Sequence, residues 1–247
     1  MQQNIEKINF LIKEGKSLNK ISSITGISKT TIYYHYRKHH GIRIKKPKIN
    51  LEDKEVLGEF LGVVAGDGYV NSDKLYHHRT RIFLNITEGE YSDSLISLFS
   101  KFIGKPVHKY VHEKGHVIQL SILSREVSDL VKQYLFWKPM GHRSKSRSVY
   151  LKKYETDKNF KIGFLRGCID TDGYINKNRI QFCTASKKLC TNIESFLKSL
   201  KIGYRTTLYQ DKRPNKSLIY FVNINSKTER FKFMDIINPR NKKASMV

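Results

Sequence analysis

The sequence predicts an α+β fold in which two halves of the same element order, αββαββα, follow a small all-α segment. Three observations predict this fold: an internal repeat, helix-spaced apolar residues near the start, and turn residues between strand-like runs. At a spacing of 105 positions the repeat aligns Gly58, Gly62, Asp67 and Gly68 with Gly163, Gly167, Asp172 and Gly173. We assign residues 53–152 to the first half and residues 153–247 to the second.

The repeat continues after its first helix. The run RIFLNIT (81–87) corresponds to RIQFCTA (179–185), and a helical pattern at 92–104 corresponds to one at 188–203. A strand pair follows in each half, with predicted turns at 113–115 and 213–215. Apolar residues alternate with polar or aromatic ones, as in a strand with one buried face. The apolar set is Ile82, Leu84, Ile86, Ile180 and Phe182.

The composition indicates a polyanionic partner. The 247 residues include 46 Lys and Arg against 22 Asp and Glu, a net charge of +24. Solubility alone needs a net charge of only about 2 to 8. Nucleic acid is favoured over a membrane surface, because the sequence has no amphipathic basic helix or lipidation signal.

The three cysteines, Cys168, Cys183 and Cys190, have no CxxC spacing and favour neither a disulfide framework nor a zinc site. The sequence has no signal-peptide pattern and no apolar run of about 18 residues. We therefore expect reduced cysteines and a cytoplasmic or organellar location, with no membrane partner.

The first 40 residues predict three helices. Ile5, Ile8 and Leu11 recur at helical spacing, Ser17 suits an N-cap, and Gly26 suits a left-handed turn before a third helix. This segment resembles the helix-turn-helix module of resolvases and homeodomains, which implies DNA contact through its last helix. The implied contact residues are Ser28, Lys29, Thr30, Thr31, Tyr34 and Arg37. A small helical bundle without a DNA role is the alternative.

Charge favours the DNA-binding interpretation of this segment, since residues 1–50 contain 11 basic and 2 acidic residues. Residues 41–52, broken by Pro47, are a basic linker between the segment and the repeat. The linker could track phosphates or serve only as a tether.

A stripe of small residues runs along the repeated helix in each half. Gly58, Gly62 and Gly66 are four apart, as are Gly163, Gly167 and Thr171. Each helical glycine costs about 1 kcal/mol relative to alanine, so the stripe indicates close contact between two helices. If the two repeated helices pack together, Asp67 lies beside Asp172, and a divalent cation would relieve their repulsion. A lone Asp-Gly after a helix is more often a turn, but the duplication reverses that expectation.

FLGVVAGDG (60–68) and LRGCIDTDG (165–173) resemble the two signature helices of a LAGLIDADG homing endonuclease in its single-chain form. The resemblance covers residue 53 to the end and implies curved antiparallel sheets around a pseudo-twofold axis, in a monomer. It implies Mg²⁺, with Mn²⁺ or Ca²⁺ as alternatives, held by Asp67, Asp172 and the carbonyls of Gly66 and Thr171. The earlier acid of the motif, Asp170 or Ala65 here, is implied to cap or orient the helix end.

The resemblance also implies that the sheets read double-stranded DNA in the major groove, where arginine suits guanine and Asn or Gln suits adenine. The candidate readers of the first half are Arg79, Arg81, Asn85, His108, Tyr110, His112 and Gln119. Those of the second half are Arg179, Gln181, Arg205, Thr207 and Tyr209. We give no zinc role to His108, His112 and His116, which flank a turn and need not converge.

A basic stretch closes each half, and alignment of Arg143 with Arg240 matches Lys145 with Lys242. The resemblance implies that these lysines assist catalysis, with Lys243 a rival to Lys242. The implied activity is a metal-dependent double-strand break at a long site, leaving short 3′ overhangs. We expect a free-standing enzyme, because the closing NKKASMV lacks the His-Asn of a splicing domain. The alternatives are a catalytically silent DNA-binding regulator and an RNA maturase for a host intron.

Overall fold

The computed structural model of the chain describes residues 2–40, 46–72, 78–138, 144–153, 156–210 and 217–241. Contacts between Cα atoms divide the chain into two compact units, residues 1–46 and 47–247. The predicted linker is split by this division. Its part after Lys46 belongs to the larger unit, where the Asn50 N–H donates to the Phe102 carbonyl at 2.9 Å.

The smaller unit consists of the predicted helices, α1 (Gln2–Lys13), α2 (Leu18–Thr25) and α3 (Lys29–His40). The Ser17 side chain accepts the Lys20 N–H at the start of α2, and Gly26 ends that helix with φ 69°. These contacts satisfy helix-end groups that would otherwise lack partners. One apolar cluster holds the three helices together, made of Ile8, Leu11, Ile12, Ile21 and Ile32.

The larger unit contains the two predicted halves. The first half is α4 (Lys54–Asp67), β1 (Gly68–Ser72), β2 (His78–Asn85), α5 (Gly89–Ile103), β3 (His108–His112), β4 (Val117–Leu123) and α6 (Arg125–Tyr134). A two-stranded ribbon joins the halves and includes β5 (Leu135–Phe136), α7 (Ser144–Ser148) and β6 (Tyr150–Leu151). The second half is α8 (Lys158–Asp172), β7 (Gly173–Asn176), β8 (Arg179–Thr184), α9 (Lys187–Ser199), β9 (Arg205–Gln210), β10 (Leu218–Ile224) and α10 (Lys227–Ile237).

Both halves build the same antiparallel four-stranded sheet. The strand order is β1-β2-β4-β3 in the first and β7-β8-β10-β9 in the second. The fold class predicted from the repeat is confirmed. The joining ribbon was not predicted, because strands of two residues carry no periodicity.

One face of each sheet is closed by helices and the other is open. Ile82, Leu84, Ile180 and Phe182 are buried as the alternation predicts. The prediction fails at Ile86, because β2 ends at Asn85 and Ile86 begins a 3₁₀ turn. The Asn85 side chain accepts the Thr87 N–H at 3.0 Å, and this capping bond ends the strand. Of the two predicted hairpin turns, residues 113–115 form one, and residues 213–215 lie outside the described residues.

Helices α4 and α8 pack backbone to backbone along their glycine stripes. A Cβ atom built on Gly58 would lie 2.1 Å from the Phe160 carbonyl oxygen, and one on Gly163 would lie 1.9 Å from that of Glu55. At Gly62 and Gly167 the corresponding distances are 2.4 Å, again to backbone oxygens. Real Cβ atoms do not approach backbone this closely, so the stripe is required by the contact.

Within the described part of the chain, we find no helix of sufficient length and apolar character to cross a membrane.

Replacing Gly58 with alanine is expected to destabilise the larger unit, because the new methyl group meets backbone that cannot move aside. The expected loss in free energy of unfolding is about 1 to 3 kcal/mol or more, measured by urea denaturation. Gly89→Ala is the matched control, since a Cβ there meets nothing within 4 Å and the backbone is helical. Equal stability of the two variants would contradict the packing described above.

Candidate active site and nucleic-acid interface

The candidate site lies where α4 and α8 end. Asp67 and Asp172 are the last residues of these helices, and the glycine after each is extended, with φ −90° at Gly68 and −92° at Gly173. The two N–H groups of these glycines donate to Val64 and Ile169, which ends each helix in the same way. Asp67 is half-buried and Asp172 is exposed, so both carboxylates remain accessible.

The glycine contact brings the two carboxylates to one place. A Cβ atom on Gly66 would lie 3.2 Å from Asp172 Oδ2 and 2.1 Å from Thr171 Oγ1. The Asp172 carboxylate therefore lies against the residue that precedes Asp67. The predicted proximity of the two helix ends is a direct consequence of the small-residue stripe.

Lys145, on the short helix α7, reaches this place from the end of the first half. Its Nζ donates to the Gly66 carbonyl oxygen at 2.5 Å. Burial lowers the pKa of the Lys145 ammonium to about 8, against the opposing effect of the Asp172 and Asp67 charges. Lys145 thus joins the two predicted acids, whereas Lys242, Lys243 and Arg143 lie outside the described residues.

The oxygen atoms at the helix ends suit a hard divalent cation. Asp67, Asp172 and the Gly66 carbonyl would offer a cation oxygen ligands only, which is the ligand type that Mg²⁺ prefers. In the described residues, no group of three or more His, Cys, Asp and Glu side chains is placed to hold a metal ion. A protein site with two carboxylates fits Mg²⁺, which commonly keeps waters and takes its other ligands from substrate phosphate.

Asp170 has a different environment from Asp172. Its carboxylate accepts the backbone N–H groups of Arg240 and Asn241, at 3.0 and 3.2 Å, and the Asn241 Nδ2 donates to the Asp170 carbonyl. Burial raises the pKa of Asp170 to about 7, partly offset by these hydrogen bonds. Asp170 therefore holds the segment after α10 against the end of α8. Ala65, at its counterpart in α4, is buried and apolar.

Beside the glycine contact lies a buried ionic cluster that the sequence did not indicate. Glu59, fully buried, accepts from Arg166 Nη1 at 3.0 Å and from Arg240 Nε at 2.6 Å. Arg166 also donates to Glu55 at 2.5 Å and to the carbonyl of Ile237. In a sequence, a charged residue within an apolar helical pattern is usually expected on the exposed side of the helix. Here the packing of α4 on α8 brings Glu55 and Glu59 to Arg166.

A buried tyrosine also lies near the first motif. Within the described residues the Tyr91 hydroxyl has no hydrogen-bond partner, and its surroundings are acidic. Burial raises the pKa of Tyr91 well above its usual range, with further contributions from Asp170, Glu59 and Asp67. No motif marked this residue in the sequence.

The open face of the first sheet gathers every predicted reader of that half. Strand register places Arg81 opposite Tyr69 and Ser121, and it places Gln119 opposite Phe83 and Tyr110. The shared face carries Arg79, Arg81, Asn85, His108, Tyr110, His112 and Gln119. Among the described side chains, Asn71 Oδ1 and Arg81 Nε are buried there without a hydrogen-bond partner. Asn85 differs from the others, because its side-chain oxygen already caps the 3₁₀ turn.

The second sheet has the same arrangement. Register places Gln181 opposite Asn223, which pairs with Arg205, and Gln181 Nε2 donates to Asn223 Oδ1 at 2.7 Å. The face carries Arg179, Gln181, Arg205, Thr207 and Tyr209. A groove of about 670 Å³ follows this face, and its polar lining includes Asn176, Asn178, Asn223 and Asn225, which no motif in the sequence marks. Amides arranged in this way can donate to and accept from base edges.

In the smaller unit, the candidates on and before α3 all face solvent. Ser28, Lys29, Thr30, Thr31, Tyr34 and Arg37 are exposed, while Ile32 on the other side of the helix is fully buried. The Ser28 side chain accepts the Thr31 N–H at 3.3 Å and so also caps the helix.

Comparison with known proteins agrees with this architecture. Residues 159–238 match the family model of the LAGLIDADG-like domain. Over 240 residues, 95% of this chain, the sequence is 25% identical to a probable translation initiation factor IF-2 of Methanocaldococcus jannaschii, and the match covers 19% of that protein. An uncharacterised protein of the same organism is 25% identical over 64% of this chain and 59% of its own length. The chain thus spans about a fifth of the length of the first relative and about three fifths of the length of the second.

Solved structures share the fold at lower identity. A variant of the homing endonuclease I-DmoI in complex with its target DNA in the presence of magnesium superposes with a TM-score of 0.55 at 16% identity, covering 78% of this chain and all of that one. The same enzyme has been crystallised with DNA and calcium or manganese. The N-terminal LAGLIDADG domain of DUF199/WhiA superposes with a TM-score of 0.51 at 16% identity, and the match covers 77% of this chain and 84% of that domain's chain. The predicted resemblance is confirmed: residues 159–238 match a LAGLIDADG-like domain, and the chain shares the LAGLIDADG fold with these structures.

Removing the Asp172 charge is expected to lower the pKa of Lys145 further. Of the two nearby carboxylates, that of Asp172 has the larger stabilising effect on the ammonium. Amine labelling of the wild-type protein as a function of pH should give a midpoint near 8 at Lys145. Asp172→Asn should move the midpoint to lower pH. Asp93→Asn, which removes the ion-pair partner of the half-buried Lys109, is the control. An unchanged midpoint in Asp172→Asn would mean that the carboxylate does not act on Lys145.

Proposed function

We propose that the chain is a site-specific, metal-dependent DNA endonuclease of the homing type. One observation carries the proposal: Asp67, Asp172 and Lys145 meet at paired helix ends. Each helix leads directly into a sheet whose open face bears basic and amide side chains. Metal ligands that persist in both motif copies favour a working nuclease. The net charge of +24 suits a polyphosphate substrate.

The carboxylates of Asp67 and Asp172, with the Gly66 and Thr171 carbonyls, would hold Mg²⁺, and Mn²⁺ or Ca²⁺ would fit the same oxygens. When bound, the cation supplies Lewis-acid stabilisation of charge on the scissile phosphate. Lys145 contributes a buried positive charge at the same place, and its Nζ stabilises the developing negative charge of the transition state. With a pKa of about 8 it can also release a proton near neutral pH. The expected product is a double-strand break with short 3′ overhangs.

The two sheet faces would read the major groove on either side of the break. Arg81 and Arg179 would donate to guanine, and Gln119 and Gln181 would pair with adenine. Arginine and histidine side chains nearer the sheet edges would contact phosphate and fix the register of the protein on the duplex. A monomer with internal pseudo-twofold symmetry suffices, since each half supplies one sheet and one acid.

The smaller unit would add a second DNA contact through α3. A helix that exposes Lys29, Tyr34 and Arg37 beside a small apolar core matches the geometry of a helix placed in the major groove. Covalent linkage of two DNA-binding units raises overall affinity, by roughly 10²-fold or more, when the linker allows both to bind at once.

A DNA-binding regulator without nuclease activity is the second candidate. The fold match with the LAGLIDADG domain of DUF199/WhiA, at a TM-score close to that of I-DmoI, favours it. The two candidates share the DNA interface and differ at Asp67 and Asp172, which a regulator would not require.

The decisive experiment incubates the protein with Mg²⁺ and a plasmid library, then sequences the cleaved ends. Asp67→Asn and Asp172→Asn should each lower the rate of double-strand cleavage by roughly 10²-fold or more and leave DNA binding intact. The physical reason is that each substitution removes a carboxylate ligand without changing side-chain volume.

Asp170→Ala is the matched control, because it removes a nearby acid that holds the segment after α10. It should retain part of the cleavage activity and unfold at a lower denaturant concentration. Tight DNA binding by the wild-type protein, with no Mg²⁺-dependent cleavage of any library member, would favour the regulator instead.

The contribution of α3 is tested by the double variant Lys29→Ala/Arg37→Ala. Loss of two phosphate contacts should reduce the slope of log affinity against log salt concentration by about 1.8, since each contact contributes about 0.9 to the slope. Electrophoretic mobility shifts at several salt concentrations provide the measurement. Lys7→Ala/Lys13→Ala removes equal charge from exposed positions of α1 and should have a much smaller effect. The same slope for both double variants would mean that α3 does not contact DNA.

A further inference from the structure

A groove that combines aromatic and lysine side chains lies at the edge of the first sheet, beside the ribbon that joins the halves. Its volume is about 340 Å³, and it is lined by Val70, Lys132, Leu135, Phe136, Trp137 and Lys152. We call it the aromatic–lysine groove. Neither the candidate active site nor the open sheet faces include these residues.

The aromatic–lysine groove lies off the open faces. Val70 belongs to the closed side of β1, where it is buried, while its neighbours Tyr69 and Asn71 point to the open side. Lys132 belongs to α6, which covers the closed side: the Ser128 hydroxyl of that helix lies 3.4 Å from the Thr80 hydroxyl of β2. Duplex DNA bound on the open faces would therefore leave this groove uncovered.

Two aromatic side chains line the groove, Phe136 and Trp137, and a third ring, that of Tyr150, lies next to Phe136. Phe136 is 42% exposed and pairs across the ribbon with Tyr150, their ring centroids 5.3 Å apart. Trp137 follows Phe136 and is half-buried. Lys188 from α9 places its ammonium 4.4 Å from the centre of the Tyr150 ring. Exposed rings next to cations are the combination that stacks bases and neutralises phosphates.

The lysines that line the groove belong to a basic stretch of the sequence. Residues 132–153 include seven Lys and Arg and no Asp or Glu. Of the lysines nearest the rings, Lys132, Lys138 and Lys152 are exposed. The lining lysines, Lys132 and Lys152, favour a polyanion over a basic ligand. The exposed Phe136 ring favours a polyanion with unpaired bases over a duplex, whose bases are stacked on each other.

We propose that the aromatic–lysine groove binds single-stranded nucleic acid. Phe136 and Trp137 stack on bases, and Lys132 and Lys152 contact the phosphates on either side. The chemistry is shared by single-stranded RNA and DNA. This second binding site is independent of the nuclease proposal, since it uses none of Asp67, Asp172 or Lys145.

Trp137 provides a direct probe, because it is the only tryptophan of the chain. Titration of the full chain with oligouridylate or oligothymidylate of about 12 nucleotides should quench its fluorescence, since a stacked base contacts the indole. A duplex of equal phosphate content should quench it much less. Similar quenching by the RNA and the DNA strand is expected, because stacking on the rings and phosphate contacts with the lysines do not depend on the 2′-hydroxyl.

Phe136→Ala should weaken the binding of both strands by roughly tenfold, and Phe136→Trp should restore it. The matched control is Phe231→Ala on α10, an exposed ring that also lies next to a lysine, Lys227. Lys132→Ala/Lys152→Ala should reduce the slope of log affinity against log salt concentration by about 1.4, because each phosphate contact with a single strand contributes about 0.7. The control pair Lys101→Ala/Lys198→Ala, at exposed positions elsewhere, should change it little.

Crosslinking with 5-iodouracil in the same oligonucleotides should label Phe136, Trp137 or Tyr150. The proposal is overturned if Phe136→Ala binds as the wild type does, or if the crosslinks map only to the open faces, for instance at Tyr110 and Tyr209. Equal loss of duplex and single-strand binding in Phe136→Ala would also overturn it. Thermal unfolding of each variant separates loss of binding from loss of fold, and Phe136→Trp keeps the test valid if the alanine variant unfolds.

Discussion

The close contact of α4 with α8 is the constraint on which the larger unit depends. Backbone atoms touch at Gly58, Gly62, Gly163 and Gly167, where no side chain of any size fits. This contact sets the separation of the two helix axes and, because both helices end one residue after the last small position, it sets the separation of Asp67 and Asp172. The accessible acids are thus positioned by backbone packing, which is more rigid than any arrangement of flexible side chains.

The ionic cluster of Glu59, Arg166 and Arg240 follows from the same contact. Helices that touch through glycine leave room at the side of the interface for long side chains from each to cross. A buried carboxylate needs compensation, and Glu59 receives it from one arginine of α8 and one beyond α10. The cluster therefore ties the end of the second half to the first helix of the first half. Loss of either arginine alone would leave an incompletely compensated charge in the core.

Much of this architecture could be predicted from the sequence because it repeats. The element order, the small-residue stripe and the polar sheet faces all follow from period and spacing, which are local properties. The Glu59 cluster, the Asp170 contacts and the unpartnered Tyr91 hydroxyl could not be predicted, since each depends on residues far apart in the chain. The apolar–polar alternation predicts a strand through Ile86, one residue beyond the hydrogen-bonded register, and the Asn85 cap decides where the strand ends. The joining ribbon is too short for any periodic signal.

The two halves hold the segments that follow them by different means, and this explains how Ala65 can stand where the second copy has Asp170. After the second half, Asp170 binds two backbone N–H groups of the closing segment. After the first half, the segment around β6 is held from α9 instead, where Ser186 donates to the Val149 carbonyl and Asn192 accepts the Leu151 N–H. An acid at position 65 is not needed for that attachment. The pseudo-twofold symmetry is therefore retained at Asp67 and Asp172 and lost at the supporting residues, whose requirements differ between the halves.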